Sequence, residues 1–530
     1  MSETGAVRLI ETLVSEGVRT VFSLSGNQIM SVYDATIGRD VDLIHTRHEA
    51  AAVHMADAVG RLTGDPGVAL LPAGPGHCNA ISALYVAMMA ESPVVVLSGH
   101  APLDQLGTGA FQEIDQVATS APVAKASWLI KDPARIPTDV RRAFEIAKAG
   151  RPGPVHLSLP EDLLKGQAAG KSPELSESTE NAATTADEVS HVLDLIAAAE
   201  RPVILAGPGM GRGGRWKRVV KFASKSGVPA LPMMSPRGVN DPWLHEAANC
   251  LAKADVVVLV GKKLDFSLRF GGSPPFAADV RFVQIEPDES QLRDDDRVVL
   301  RIHEDPSEVL EEMTSAVTEN QDREWRKEVA AARETVPGEW AALRGLNAEP
   351  IHPLRVCAAV QPHLDVGAMF VSDGGEFGQW VQAGLESPPR LINGPSGAIG
   401  SAIPMAIGAK SLDSSRTVFA FVGDGTFGYH GMELDTAIRY DLPIVVIVGN
   451  DARWNAEHQL QINTYGEDRT VACELLPSRY DRVVRALGGH GAIVEGAGEL
   501  EGAIDQAVAS GLPACLNVRT KPVGAPTLLR

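Results

Sequence analysis

The residues from Gly423 to Arg453 place two carboxylates where they could share one cation. Thr417 to Val422 is a short apolar run with the pattern of a buried strand, and Gly423-Asp424-Gly425 closes it with a backbone able to approach a ligand closely. A helix is expected next. Leu434, Ala437 and Ile438 have i, i+3, i+4 spacing, so one face packs on a sheet while an N-terminus near Thr426 offers unpaired N–H groups to an anion. A second strand, Ile444 to Val448, ends in Gly449-Asn450-Asp451. Asp424 and Asp451 then lie at the C-terminal ends of two strands, the edge where parallel α/β sheets bind ligands. Two hard oxygen ligands beside a phosphate-ready helix end suit Mg²⁺ carrying a diphosphate. Taken alone, Gly-Asp-Gly also reads as a plain turn.

A second carboxylate of interest is Glu49, in Arg47-His48-Glu49, which opens a helix rich in Ala and Met after the stretch Leu43 to Thr46. Bare, it is a first-turn acid favoured by the helix dipole.

These residues need a frame, and the chain supplies enough length for about three domains in its 530 residues. Apolar residues at 44% and charged residues at 22% are those of a globular protein with a sizeable core. A net charge of −19 argues against a nucleic-acid partner, which wants a basic face. No apolar run approaches the roughly 18 residues of a membrane span, and the acidic, helix-patterned N-terminus is unlike a signal peptide. The five cysteines show no metal-ligand spacing, which fits thiols in a reducing cytoplasm.

Short apolar strands alternate with helical patterns throughout, giving an α/β fold of three doubly wound parallel-sheet units. Residues 1–165 form the first, with strands at Thr20–Leu24, Val68–Leu71, Val94–Leu97 and Val155–Leu159. Residues 166–187, rich in Ser, Thr, Glu and Ala, read as a linker. The second unit, 188–325, has strands at Val203–Ala206, Val256–Val260 and Phe282–Ile285, and a helical connector follows at 326–350. The third unit spans 351–530. In the second, Gly207-Pro208-Gly209-Met210-Gly211 follows a strand without G-x-G-x-x-G spacing and reads as a strand-to-helix turn, with a phosphate loop as the alternative.

Asp451 follows Asp424 by 27 positions, and this spacing resembles the motif of thiamine diphosphate-dependent enzymes, a GDG followed at that distance by Asn-Asn. The resemblance covers nearly the whole chain, in the order pyrimidine-binding, middle and diphosphate-binding domain. It implies that Asp424, Asp451 and the carbonyl of Arg453 hold Mg²⁺, with Gly423, Gly425 and Thr426 beside the diphosphate. Asn450-Asp451 in place of Asn-Asn keeps an oxygen ligand and adds a negative charge. By the same resemblance Glu49 hydrogen-bonds the aminopyrimidine and drives formation of the thiazolium ylid. Gly74-Pro75-Gly76 looks like the family's GPG turn, and Ala110-Phe111-Gln112-Glu113 like the loop whose Phe and Gln face the thiazolium. Gly375, Glu376 and Phe377 match a diphosphate-contacting loop. Gly397 is expected to offer its carbonyl to the cofactor's amino group, and Ile399 to be the apolar wedge that bends the cofactor. Read bare, Phe111 and Ile399 would be core residues. Gln28, His77 and Gln112 are the candidate acid-base groups beside the cofactor. Because Glu49 and the clamp that serve one cofactor come from different subunits in this family, a homo-oligomer with sites at the dimer interface is implied, as dimer or tetramer.

Within the family the chain most resembles the acetolactate synthase-like branch, which implies a carboligase or lyase that takes 2-oxo acids or aldehydes through an enamine. Two departures concern the second substrate. The middle-domain stretch has Asp265-Phe266-Ser267 where acetolactate synthases have Asp-Asp-Arg, so a bidentate carboxylate partner is missing there, and this weighs against FAD as well. Ala456 and Leu460 stand where those enzymes present Met and Trp. Benzaldehyde lyase-like or 2-hydroxyacyl-CoA lyase-like cleavage is the alternative, and a non-catalytic cofactor-binding relative is the second.

Overall fold

The computed structural model describes residues 3–168, 185–320, 323–387 and 389–527. The first sheet holds β1 (Thr20–Ser23), β2 (Asp42–His45), β3 (Gly67–Leu71), β4 (Val94–His100), β5 (Ala126–Leu129) and β6 (Pro154–Pro160). The second holds β7 (Pro202–Ala206), β8 (Ala230–Pro232), β9 (Val256–Val260), β10 (Arg281–Ile285) and β11 (Val298–Ile302). The third holds β12 (Met369–Ser372), β13 (Arg390–Ile392), β14 (Val418–Gly423), β15 (Val445–Asn450), β16 (His490–Val494) and β17 (Ala514–Arg519). Their orders are β2-β1-β3-β4-β6-β5, β11-β10-β9-β7-β8 and β13-β12-β14-β15-β17-β16, with every pairing parallel. The first and third sheets therefore share one topology.

Central strands such as β3, β4, β7 and β9 are buried along their whole length, which is why they read as unbroken Val/Leu/Ala runs: helices cover both faces. The edge strands β2, β5 and β11 are shorter on apolar residues or half-exposed, and that weak pattern hid them in the sequence. Helix Glu49–Thr63 of the first unit lies against helix Ala402–Leu412 of the third. The approach is so close that a Cβ on Gly408 would sit 2.5 Å from the Met55 carbonyl oxygen. Ala52, Met55, Ile403 and Ala406 join one core across this seam, so Glu49 stands at the head of a helix held by two units.

Most of the Ser/Thr/Glu-rich linker, residues 169–184, lies outside the described residues. Beyond it a capping box between Thr185 and Glu188 starts the helix Ala186–Ala198. Between the second and third sheets, Trp325 donates to the Pro202 carbonyl at 2.9 Å and Trp340 packs 5.5 Å from Trp380, so this segment is bound to both units.

The helix expected after Gly-Asp-Gly differs from the structure in two ways. It begins at Asp424 itself, with Gly423 as N-cap, and it is two helices, Asp424–His430 and Glu433–Arg439. Phe427 folds its ring over Gly431, where a Cβ would meet it at 2.4 Å, and the chain bends there.

Candidate active site

β14 and β15 are neighbours in register, Gly423 opposite Gly449, and this alone brings Asp424 and Asp451 to one edge. Asp424 is 3% exposed; its Oδ1 accepts the Gly425 N–H at 3.1 Å, and its Oδ2 is buried without a partner. Burial raises the Asp424 carboxyl to about 6 against the pull of nearby N–H groups, and burial together with the Asp424 charge raises Asp451 to about 7. An unpartnered buried carboxylate oxygen beside a second acid, both held towards their neutral forms by burial, is a donor pair whose charges a cation would stabilise.

Around this pair lies a pocket of about 200 Å³ lined by Gly375, Glu376, Phe377, Gly397, Ile399, Gly423 to Thr426, Asp451 and Arg453, continuing to Trp454 and Ala456. Helix Gly375–Gly384 opens onto it with no side-chain cap and with open space over Gly375, a ready anion seat. Gly425 carries the indole of Trp454 flat against it, 2.8 Å from where a Cβ would be. Phe377 lies over Gly449 in the same way. The Thr426 hydroxyl donates back to the Gly423 carbonyl at 3.1 Å. The Glu376 carboxylate is turned away from the anion seat: its Oε2 accepts the Ala525 N–H at 2.5 Å, leaving only its backbone for a diphosphate.

Asp373 organises the wall opposite. It is fully buried, accepts the N–H of Gly374 at 2.8 Å and of Gly400 at 2.9 Å, and is raised by burial to about 6. It thereby fastens the loop of Gly375 to the segment Gly397–Ile399, and the half-buried Ile399 side chain stands over Gly374 rather than in the core.

A second cluster gathers in the first unit. Glu49, 7% exposed, accepts from Asn79 Nδ2 at 3.0 Å, and Gly76 lies so close that a Cβ would be 3.1 Å from Glu49 Oε1. Gly74, at φ +57°, touches the Gln112 backbone, and Gln112, at φ +59°, accepts from Gln28 Nε2 at 3.0 Å. The Gln28 carbonyl oxygen remains buried without a partner. Phe111 is 69% exposed, so it is not a core residue. None of this cluster lines the pocket of the clamp, whose walls all come from residues 374–457. That volume is below the roughly 300–1,000 Å³ of complete small-molecule sites.

His77 belongs to neither. It is fully buried, with Nδ1 2.9 Å from Ser98 Oγ, Nε2 3.1 Å from Ser120 Oγ and its ring 4.4 Å from His156. Burial lowers it to about 4. This placement gives a neutral ring with both nitrogens engaged, an arrangement suited to packing rather than to the acid-base work expected of it.

Two further contributors escaped the sequence. Glu433, 1% exposed, accepts the Arg47 N–H and the Thr436 hydroxyl at 2.7 Å, and burial raises it to about 7. Residues 523–526 pack against residues of the pocket wall and the second unit, with Asn455 Nδ2 donating to the Val523 carbonyl at 3.2 Å and Arg237 to that of Pro526 at 3.1 Å. In the middle-unit loop, Asp265 is held by Lys262 Nζ at 2.8 Å and by the Ser267 hydroxyl at 2.7 Å. No arginine stands at 266 or 267. Among the described residues no three or more His, Cys, Asp or Glu side chains converge on a metal position. Two carboxylates suffice for Mg²⁺, which keeps waters and takes phosphate oxygens, so the clamp's donors fit that ion. Among the described residues no helix is long and apolar enough to cross a membrane, and the five cysteines are free thiols.

Comparison with known proteins gives three family matches in chain order. Residues 3–119 match the thiamine pyrophosphate enzyme N-terminal TPP binding domain, 189–313 the central domain and 373–518 the C-terminal TPP binding domain. The chain is 35% identical to the acetolactate synthase large subunit IlvG of Mycobacterium tuberculosis over 98% of this chain and 96% of that one. It is 30% identical to the acetolactate synthase isozyme 3 large subunit of Escherichia coli over 95% and 92%. To the 2-hydroxyacyl-CoA lyase of Arabidopsis thaliana it is 28% identical over 98% and 96%.

Proposed function

The chain belongs to the thiamine pyrophosphate-dependent enzymes, in the acetolactate synthase-like group, and from that premise we propose that it is an Mg²⁺-dependent carboligase or lyase of 2-oxo acids or aldehydes. The observation that carries this reading is the orphaned Asp424 oxygen facing Asp451 beside the open end of helix Gly375–Gly384, in a pocket that lacks Glu49.

Asp424 and Asp451 would hold the cation with the Arg453 carbonyl, and the uncapped N–H groups at the start of helix Gly375–Gly384 would take the diphosphate. Ile399 and the Gly397 carbonyl, fixed by Asp373, set the orientation of the ring system. When bound, thiamine diphosphate supplies a carbanion equivalent and an electron sink for the cleaved or formed C–C bond. Glu49 would hold or release a proton towards a bound aminopyrimidine, and Asn79 holds its carboxylate in position. Gln28 and Gln112 form one amide pair whose spare carbonyl and N–H groups orient the oxygen atoms of the substrate. Each complete site then takes its clamp from one copy of the chain and Glu49 from a second, so the active form is a homo-oligomer. Ala456, beside the clamp, and Leu460, 66% exposed, leave the acceptor side wide.

The test is to supply thiamine diphosphate, Mg²⁺ and a mixed panel of 2-oxo acids and aldehydes and identify products by mass. Turnover that needs both cofactors is expected. No turnover, together with no thermal shift on adding them, overturns the reading.

A further inference from the structure

The second sheet changes direction between β7 and β9, and in doubly wound sheets of this order the crevice at the carboxyl ends of those two strands is the place for a nucleotide. Its rim has the right composition: Gly207 and Gly209 after β7, Gly261 after β9, and Glu286 after β10. Here the crevice is already filled. The Glu91 carboxylate, from the first unit, accepts the Gly209 N–H at 2.8 Å. A Cβ on Gly209 would stand 2.9 Å from Glu91 Oε2, so the carboxylate approaches as closely as a phosphate oxygen does at such loops.

Arg151 completes the plug by pairing with both Glu91 and Glu286. Glu91 is 6% exposed and Glu286 fully buried. Arg212 donates to the Glu91 carbonyl at 2.8 Å, holding a residue whose φ of +53° a glutamate rarely adopts. Among Gly209, Met210, Gly261, Pro287 and Pro306 the space left is about 10 Å³, room for at most one water; a separate cavity of about 320 Å³, lined by Arg61, Lys148 and Arg212, adjoins Glu91. A diphosphate entering the crevice would displace Glu91 from the Gly209 N–H and face the Glu286 charge.

We propose that this glycine loop is a socket for the Glu91 carboxylate, which locks the first unit to the second, and that the protein carries neither FAD nor ADP in its middle unit. The residues present therefore do not fit the flavin of acetolactate synthases. This is independent of the reaction catalysed at the clamp, because its readouts need no turnover.

Full-length protein purified without added nucleotide is denatured, and the supernatant is analysed for flavin and adenine nucleotides; the native protein is also titrated with FAD and with ADP while its melting temperature is followed. Neither nucleotide is expected in the supernatant, and neither shifts the melting temperature. Stoichiometric release of FAD or ADP, or a saturable upward shift with either, overturns the proposal. A double-mutant cycle tests the socket directly. Gly209→Ala lowers the melting temperature when Glu91 is present and lowers it far less in a Glu91→Ala background, whereas equal losses in the two backgrounds overturn the contact.

Discussion

The Glu433 carboxylate receives the backbone N–H of Arg47 at 3.0 and 3.2 Å, so the helix that follows the clamp holds the turn from which Glu49 projects in the same chain. Neighbouring contacts repeat the stitch: Arg439 donates to the His45 carbonyl at 2.6 Å, and His45 donates its N–H to Tyr440 at 2.8 Å. In the proposed dimer these residues would tie the clamp of one site to the Glu49 of the other.

Removing that carboxylate is therefore expected to disturb Glu49 without touching the pocket. Glu433→Ala leaves the Arg47 N–H and the Thr436 hydroxyl buried without their acceptor, a loss of about 1–3 kcal/mol for each such group. Exchange of the cofactor C2 proton should slow while cofactor affinity, read by thermal titration, stays near wild type. A parallel fall in both would show that Glu433 only supports the fold.

The same residue predicts a pH dependence. Burial raises Glu433 from 4.5 to about 7 in the folded chain, with Arg47, Arg439 and Asp435 as its charged neighbours. Between those values the folded state binds a proton that the unfolded state has released, so stability is greatest below the lower value and falls as pH rises through about 7. Melting temperatures across this range, wild type minus Glu433→Gln, should show that decline, and a flat difference would contradict it.

At the clamp, Asp451→Asn removes one of two neighbouring carboxylates, Asp424 buried and Asp451 half-buried, that repel each other. The apo protein should become more stable, and the stabilisation given by Mg²⁺ with thiamine diphosphate should shrink; every tenfold loss of affinity is about 1.4 kcal/mol. Unchanged cofactor stabilisation would remove Asp451 from the metal set.

Glu49→Gln keeps the shape of the side chain beside Asn79 and removes its proton chemistry. C2 exchange and turnover should fall by roughly 10²–10⁴-fold with fold and assembly intact, as measured by proton exchange and light scattering.

His77→Ala gives the opposite signature. Ser98 of β4 and Ser120 of helix Gln116–Ser120 lose their common buried partner, so the melting temperature falls while the rate of the surviving folded enzyme holds. A selective loss of rate would return His77 to the chemistry.

Composition, strand spacing and the order of motifs determined the three parallel sheets and pointed to the residues around Asp424 and Glu49, because buried parallel strands write themselves as apolar runs and a metal-diphosphate clamp needs fixed residue types at strand ends. Edge strands such as β2 and β11 were illegible, since half-exposed strands lack that pattern. Tertiary structure decided what depends on contacts remote in sequence. Thus His77 and Glu49, both polar residues in helical first turns, part company because one is met by Ser98 and His156 and the other by Gly76 and Asn79. A glycine loop that could have taken a phosphate takes Glu91 instead, from 118 residues earlier in the chain, and no local pattern in the sequence encodes that meeting.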